Sequence, residues 1–414
     1  MSLEQMARNA KAASKVLALS DQVMKNNALS AMADALLLEK AYLQNENNKD
    51  MQAGREANMS EALLDRLLLT DARIEDMAKG LKDLCDMPDP IGQVTESWRT
   101  ENGLQISRQS VPLGVILMIY EARPNVTADA AGLCLKSGNA VILRGSRSAI
   151  HSNIAIASVL KRALADTGIP TDAIQLVEDV SHEAVGELLR MNNWIDLAIP
   201  RGGAGLIKSV VSQASIPVIE TGTGNCHLYV DAPADLSKAL AITMNGKVQR
   251  PGVCNALETL LVHKDVADAF LPMALEALKT AGVEIRGCDQ TMTYGKEIAA
   301  ATEDDYATEF HDLILAVKVV DSFADAVSHI NRYSSGHSDV IVTESYSHAQ
   351  AFLNEIDSAC VYVNASSRFS DGSQFGFGAE IGISTQKMHA RGPMGIQALT
   401  SYKYTICGKG QIRE

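Results

Sequence analysis

The sequence has no CxxC pair, no HExxH stretch and no G-x-G-x-x-G fingerprint, so neither a structural zinc, a zincin centre nor the common dinucleotide signature is written in it. No window approaches the ~18 to 20 consecutive apolar residues that a spanning helix needs. Aromatic residues fill only 5% of 414 positions and the net charge is −13, a poor basis for stacking on nucleic acid or docking on an anionic membrane. That charge leaves a small anionic ligand open, because a local group of Arg and Lys opposes the global sign. Seven cysteines, an odd number at irregular spacing, do not make a disulfide framework in a chain this long. Residues 1–5 have neither the basic end nor the apolar stretch of a secretory signal, so the expectation is a cytoplasmic chain with reduced thiols.

What is present allows two or three domains and a large core. No proline precedes Pro88, and Gly54 and Gly80 are the only glycines before it; Ala, Leu and Met dominate, so residues up to about Asp86 read as helical. Pro88-Asp89-Pro90 stops this region. Residues 94–111 alternate around Asn102-Gly103, as in a β-hairpin arm. From Val111 short apolar runs (113–120, 140–143, 174–177, 195–199 and 217–219) alternate with amphipathic segments such as 150–166 and 182–191. A second series follows at 228–230, 257–263, 313–320, 340–343 and 361–364. The pattern predicts an α/β chain with two Rossmann-like open parallel sheets. The isolated run 399–406 is a partner for the 94–111 arm, within the chain or across a subunit interface.

Among the cysteines, Cys254 stands out. It follows Arg250-Pro251-Gly252-Val253 and precedes the run 257–263, with Lys247 and Arg250 beside it to favour a thiolate. A cysteine taken alone is more often a small buried hydrophobe, and Cys134, Cys226 and Cys360 read that way; Cys85, Cys288 and Cys407 lie in peripheral segments. Two glycine-containing loops follow strands. Arg144-Gly145-Ser146-Arg147 carries two guanidiniums suited to an anion, and Arg201-Gly202-Gly203-Ala204 opens a helix whose N–H groups suit a phosphate. Either is also compatible with an ordinary turn. Asn125 reads as an oxyanion donor or a helix cap, Glu220 as a base or a solvated side chain, and Glu309 precedes a strand.

Taken in order, these segments resemble the aldehyde dehydrogenase superfamily. The segment 135–143 (LKSGNAVIL) is similar to the family's entry to its adenosine loop; Asn125 falls at the oxyanion asparagine, Cys254 at the nucleophile and Glu309 at the glutamate that holds the nicotinamide ribose. Segments 120–127 (YEARPNVT), 199–206 (IPRGGAGL), 225–231 (NCHLYVD), 249–262, 362–375 (YVNASSRFSDGSQF) and 384–395 (STQKMHARGPMG) extend the likeness to the branch that reduces L-glutamyl 5-phosphate in proline biosynthesis.

The resemblance implies an NADPH-binding domain over residues 1–93 and 113–222, a catalytic domain over 223–385, a return segment 386–395, and an oligomerisation arm from 94–112 and 396–414. Catalysis falls to Cys254 and Asn125; the cofactor falls to Arg144, Ser146, Arg147, Gly202, Gly203, Glu220 and Glu309. Arg147 after Ser146, where NAD-preferring relatives carry an acid, favours NADPH, although a surface arginine reads the same way. An amino-acid phosphate needs cations, and Arg123, Lys247, Arg250 and Arg368 are the candidates. Neither a metal, nucleic acid nor a membrane is expected as partner. A homo-oligomer is expected, and the lability of an acyl phosphate suggests delivery by an associated glutamate 5-kinase. The competing reading is an NAD(P)+-dependent aldehyde dehydrogenase that hydrolyses its thioester with Glu220 as base.

Overall fold

The proline-free opening of the chain forms five helices in the computed structural model, which describes residues 1–413: α1 (Leu3–Leu17), α2 (Gln22–Leu38), α3 (Lys40–Glu56), α4 (Glu61–Leu67) and α5 (Asp71–Asp86). Four of them start on a side chain that accepts a first-turn N–H: Ser2, Asp21, Ser60 and Thr70. Each such cap contributes ~1 kcal/mol. Along α1, Ala7, Ala10, Ala13 and Leu17 are buried, the helical spacing of one packed face.

The chain forms two compact units: Met1–Thr221 with Gly376–Gly382 and Met394 onward, and Gly222–Phe375 with Ile383–Pro393. In the first, the hairpin β1 (Val94–Arg99) and β2 (Gln105–Pro112) leads into β3 (Val115–Tyr120), α6 (Asn125–Lys136), β4 (Ala140–Arg144), α7 (Ile150–Ala163), β5 (Ile174–Leu176), α8 (His182–Leu188), β6 (Leu197–Arg201) and α9 (Ala204–Gln213). The parallel sheet runs β5-β4-β3-β6, with Val115 opposite Ala140 and Ile116 opposite Leu197. All of β3 is buried, as a strand covered on both faces requires. The N-terminal helices cover this sheet: buried Asp50 on α3 accepts from the Ser152 N–H at 2.8 Å and its hydroxyl at 2.6 Å, holding the first turn of α7. Gly132 of α6 lets the α5 leucines in, since a Cβ there would lie 2.4 Å from Leu81.

Two expectations change in this unit. Residues 217–219 form only a single bridge, Ala198 to Val218, because Pro217 has no N–H to give a ladder. Residues 376–382, expected in the second block, belong here. Gly378 packs on Met87, and Ile381 and Gly382 exchange backbone hydrogen bonds with Met394 at 2.9 and 2.8 Å. The Asn-Gly turn is present, with Gly103 at φ +86°, and the C-terminal strand Thr400–Cys407 pairs antiparallel with β2 within the chain.

The second unit is a parallel sheet of β7 (Cys226–Val230), β8 (Leu257–His263), β9 (Glu284–Gly287), β10 (Ala299–Ala300), β11 (Ile314–Val320), β12 (Ser338–Val342) and β13 (Cys360–Val363), ordered β10-β9-β11-β8-β7-β12-β13. The helix α10 (Leu236–Val248) connects β7 to β8, and α11 (Lys264–Thr280) follows β8. Leu228, Leu260, Val317 and Val340 from four strands meet Phe270 and Leu271 of α11 in one buried cluster. The strands β9 and β10 lie outside the expected runs: β9 is broken by Glu284 and Arg286, and β10 is only two alanines long.

Candidate functional site

The loop of residues 249–256 joins α10 to β8 and carries Cys254, half-buried, at the amino edge of the second sheet. Its neighbours come from the amino ends of the adjoining strands. Gly224, just before β7, lies against the Cys254 backbone so closely that a Cβ would overlap its carbonyl group. The buried Cys226 thiol donates to the Cys254 carbonyl at 3.3 Å. Asn255 is buried; its amide nitrogen donates to the Ser370 carbonyl at 2.9 Å, while its own carbonyl accepts from the Ser367 hydroxyl at 2.7 Å. The nucleophile candidate is therefore gripped on both sides by β7 and by the 367–370 turn.

The candidate cations divide. Lys247 is fully buried, its ammonium 2.6 Å from the equally buried Glu258 carboxylate, which corrects its assignment to a substrate. Burial pushes Lys247 down and Glu258 up to about 7, each opposed by the other's charge. Arg250 is exposed and Arg368 half-buried. The Arg368 guanidinium is held below its usual value by burial and then by Arg250, while Cys254 acts in the opposite direction. Its Nε donates to Gln249 at 3.1 Å. A cavity of about 240 Å³ opens here, lined by Asn245, Gln249, Arg368, Phe369, Asp371 and Ser373 among others. The Arg368 guanidinium, which feels Arg250 as a like charge and Cys254 as an opposing one, is a cation that a bound anion would relieve. Glu309 lies before β11 with its side chain only 10% exposed, 3.4 Å from His311 Nε2.

In the first unit the topology points to one place. Strands β4 and β5 extend the sheet to one side of β3 and β6 returns to the other, so a switch point lies at the carboxyl ends of β3 and β6. The segments that leave those ends are residues 121–125 and 202–205. Asn125 begins α6, exposed, with its amide nitrogen donating to Asp129 at 2.9 Å. Burial pushes Asp129 up to about 6, moderated by Asn125 and Arg201. Arg123 is exposed. The Gly203 N–H, at the cap of α9, donates to the Glu121 carboxylate at 3.2 Å, and a Cβ on Gly202 would lie 2.6 Å from that carboxyl carbon. Glu220 is half-buried on the segment before Thr221.

At the end of β4, Arg144 and Arg147 behave differently. Arg144 is 8% exposed and its guanidinium donates to the carbonyls of Val180 and Ser181 at 2.6 and 3.1 Å, a structural clamp on the start of α8 that corrects its cofactor assignment. Arg147 is exposed, and Ser146 shares a 2.8 Å hydrogen bond with Ser148. Sequence reasoning missed Gly224, Cys226, Asn255, Glu258, Glu121 and Asp129. Glu121, Asn255 and Glu258 stood inside quoted segments and carried a signal; Cys226, also inside one, reads as core, because a thiol flanked by apolar residues gives no sign of a polar contact.

No helix among the described residues is long and apolar enough to cross a membrane, and no group of three His, Cys, Asp or Glu among them is placed to hold a metal. A family model described as the aldehyde dehydrogenase family matches residues 2–308 and 306–404. The gamma-glutamyl phosphate reductases of Thermoanaerobacter sp. (strain X514) and Moorella thermoacetica are 56% and 58% identical over 414 residues, covering 100% of this chain and 100% and 99% of theirs. The crystal structure of a gamma-glutamyl phosphate reductase from Thermotoga maritima superposes with a TM-score of 0.98 at 47% identity over 100% of both chains.

Proposed function

The chain belongs to the aldehyde dehydrogenase family, and from that premise we propose that it reduces L-glutamyl 5-phosphate with NADPH to L-glutamate 5-semialdehyde and phosphate, through a thioester on Cys254. The observation that carries this reading is the 56% identity over the whole chain to a gamma-glutamyl phosphate reductase, and Arg368, whose guanidinium feels both Arg250 and Cys254, is the cation assigned to a leaving phosphate.

An acyl phosphate is a strong acylating agent. The Cys254 thiolate attacks its carbonyl carbon; the new S–C bond forms, the C–O bond to phosphorus breaks, and phosphate leaves with the electron pair. The Cys254 N–H and the Asn125 amide are assigned to the oxyanion that develops between these events. Asp129 takes one amide hydrogen of Asn125 and leaves the other for this role. Arg250 and Arg368 hold the departing phosphate. No water is activated in this direction, so Glu220 is assigned to positioning and a general base is dispensed with.

The loops of the first unit fit a dinucleotide phosphate: the Gly203 N–H already binds a carboxylate, Gly202 presents bare backbone, and Arg147 is an exposed cation close to Ser146. These residues would hold NADPH, with Glu309 assigned to its nicotinamide ribose. Bound there, the cofactor would supply a hydride to the thioester carbon; the C–S bond to Cys254 then breaks, freeing the aldehyde and returning the electron pair to the thiolate. Arg147 favours the 2′-phosphorylated form.

The enzyme is assigned to the cytoplasm and to a homo-oligomer. Trp98, Tyr402, Tyr404 and Ile406 of the β-arm, each at least 40% exposed, are the surface assigned to the second copy. Pyrroline-5-carboxylate with NADP+ tests the activity in reverse. The reading expects sustained NADPH formation only when phosphate is present; equal turnover without phosphate identifies a hydrolytic dehydrogenase instead.

A further inference from the structure

Cys226 is the first residue of β7, fully buried, and nothing in the chemistry above uses it. Its sulfur lies 3.3 Å from the Cys254 carbonyl oxygen and 3.8 Å from His337 Nδ1. A carbonyl oxygen only accepts, so the thiol is the donor in the first contact. His337 Nδ1 is 2.8 Å from the Ser338 hydroxyl, which continues to Ser370 at 2.5 Å and Tyr362 at 2.7 Å. The thiol thus links the nucleophile loop to a buried polar row that also reaches Asn255 through the Ser370 carbonyl. The β-bulge between Cys226 and His227, where β7 pairs with β8, sits at this contact.

We infer that Cys226 is a positioning residue, whose S–H holds the Cys254 carbonyl and so fixes the direction in which the nucleophilic sulfur and the Cys254 N–H are presented. The inference rests on the reading of Cys254 as nucleophile. Three facts support it. The same carbonyl lies where a Cβ on Gly224 would be, so the bare glycine backbone and the thiol two residues on meet the peptide together. Burial, and then the nearby Asp339, push the Cys226 thiol well above its ordinary range, so it stays a donor throughout the pH range of catalysis. A displacement of the reacting sulfur by ~1 Å is enough to cost about a hundredfold in rate, so a single well-placed donor has leverage on turnover.

The test uses the full-length enzyme with Cys226→Ala and Cys226→Ser, assayed as phosphate-dependent NADP+ reduction. If the thiol is a donor, Ala lowers kcat about tenfold and Ser, which keeps an O–H, retains most of the wild-type rate, with the KM for NADP+ within about twofold in both. If the thiol only fills space, Ala keeps the wild-type kcat, because it removes volume and no contact that turnover needs. Wild-type kcat in the Ala variant, or a Ser variant no better than Ala, overturns the inference. Thermal melts of both variants identify loss of fold; should Ala fail to fold, the Ser variant still decides, since a fall to one tenth of the wild-type kcat in a folded Ser variant also overturns it. Alkylation by iodoacetamide, mapped by mass spectrometry, separates the two levels. Inactivation that follows a residue other than Cys254 removes the nucleophile reading itself, whatever the Cys226 variants do.

Discussion

The Lys247 ammonium lies 2.6 Å from the Glu258 carboxylate with both side chains fully buried, one in the last turn of the helix before the loop of residues 249–256 and the other in the strand after it. The pair closes the base of the loop that carries Cys254. A buried charge whose partner is removed destabilises by about 3–5 kcal/mol, whereas replacing both charges by apolar groups is near neutral. Lys247→Met is therefore expected to lower the melting temperature sharply, and Lys247→Met with Glu258→Leu to recover most of it. The KM for phosphate is expected to stay unchanged in the double variant. A rise like that expected for Arg368 variants would return Lys247 to the substrate.

Gly224 offers a second handle on the same loop. Its missing Cβ is where the Cys254 carbonyl sits, and backbone cannot yield as a flexible side chain does. Gly224→Ala is expected to lower kcat at least tenfold with the circular dichroism spectrum retained. Wild-type turnover in this variant would mean that the loop tolerates displacement.

Arg368 is where substrate charge is tested. Its guanidinium is destabilised by burial and by Arg250, a condition that a bound dianion relieves. In the reverse direction Arg368→Ala is expected to raise the KM for phosphate by about tenfold or more, as loss of a charge-assisted hydrogen bond does. The KM for NADP+ is expected to be unchanged. An equal rise in both constants would point to collapse of the 367–370 turn rather than loss of a ligand.

Acid stability follows from buried imidazoles. Burial holds His329 down to about 3 and His227 to about 3; the surrounding charges at His329 are His227, Lys318 and Arg332, with Asp339 beside His227. Between pH 6.5 and 3 the unfolded chain binds a proton at each imidazole and the folded chain does not, so each contributes stability that is lost as pH falls below 6.5. Asp339 and Asp129, both pushed up to about 6, act the opposite way between pH 6 and 4. A difference experiment isolates one group. The stability gap between wild type and His329→Phe, from urea midpoints, is expected to shrink by ~2 kcal/mol from pH 7 to pH 5. A constant gap would show that His329 is protonated in the folded protein.

Much of this architecture is legible in the chain. The absence of proline before Pro88 marks the helical opening, Asn102-Gly103 marks the hairpin, and the apolar runs at 113–120, 140–143 and 257–263 mark strands buried on both faces. Where the reading went astray, tertiary partners decide. Arg144 and Lys247 are cations in loops or helix ends by sequence, but carbonyls at 180–181 and a carboxylate at 258 lie folded against them. Spacing in the sequence does not encode those partners. Cys226 illustrates the converse: apolar neighbours in the chain conceal a polar contact made from a strand to the loop of residues 249–256.

The central claim is that phosphate departure makes, and phosphate return resolves, a thioester on Cys254. Rapid mixing of the enzyme with pyrroline-5-carboxylate and NADP+ in phosphate-free buffer tests it most directly. A thioester on Cys254 gives a burst of one NADPH per active site that stops, an acylated Cys254 in the peptide mass spectrum, and resumed turnover when phosphate is added; Cys254→Ala gives no burst. Steady NADPH formation without phosphate, or a burst that survives in Cys254→Ala, would contradict it.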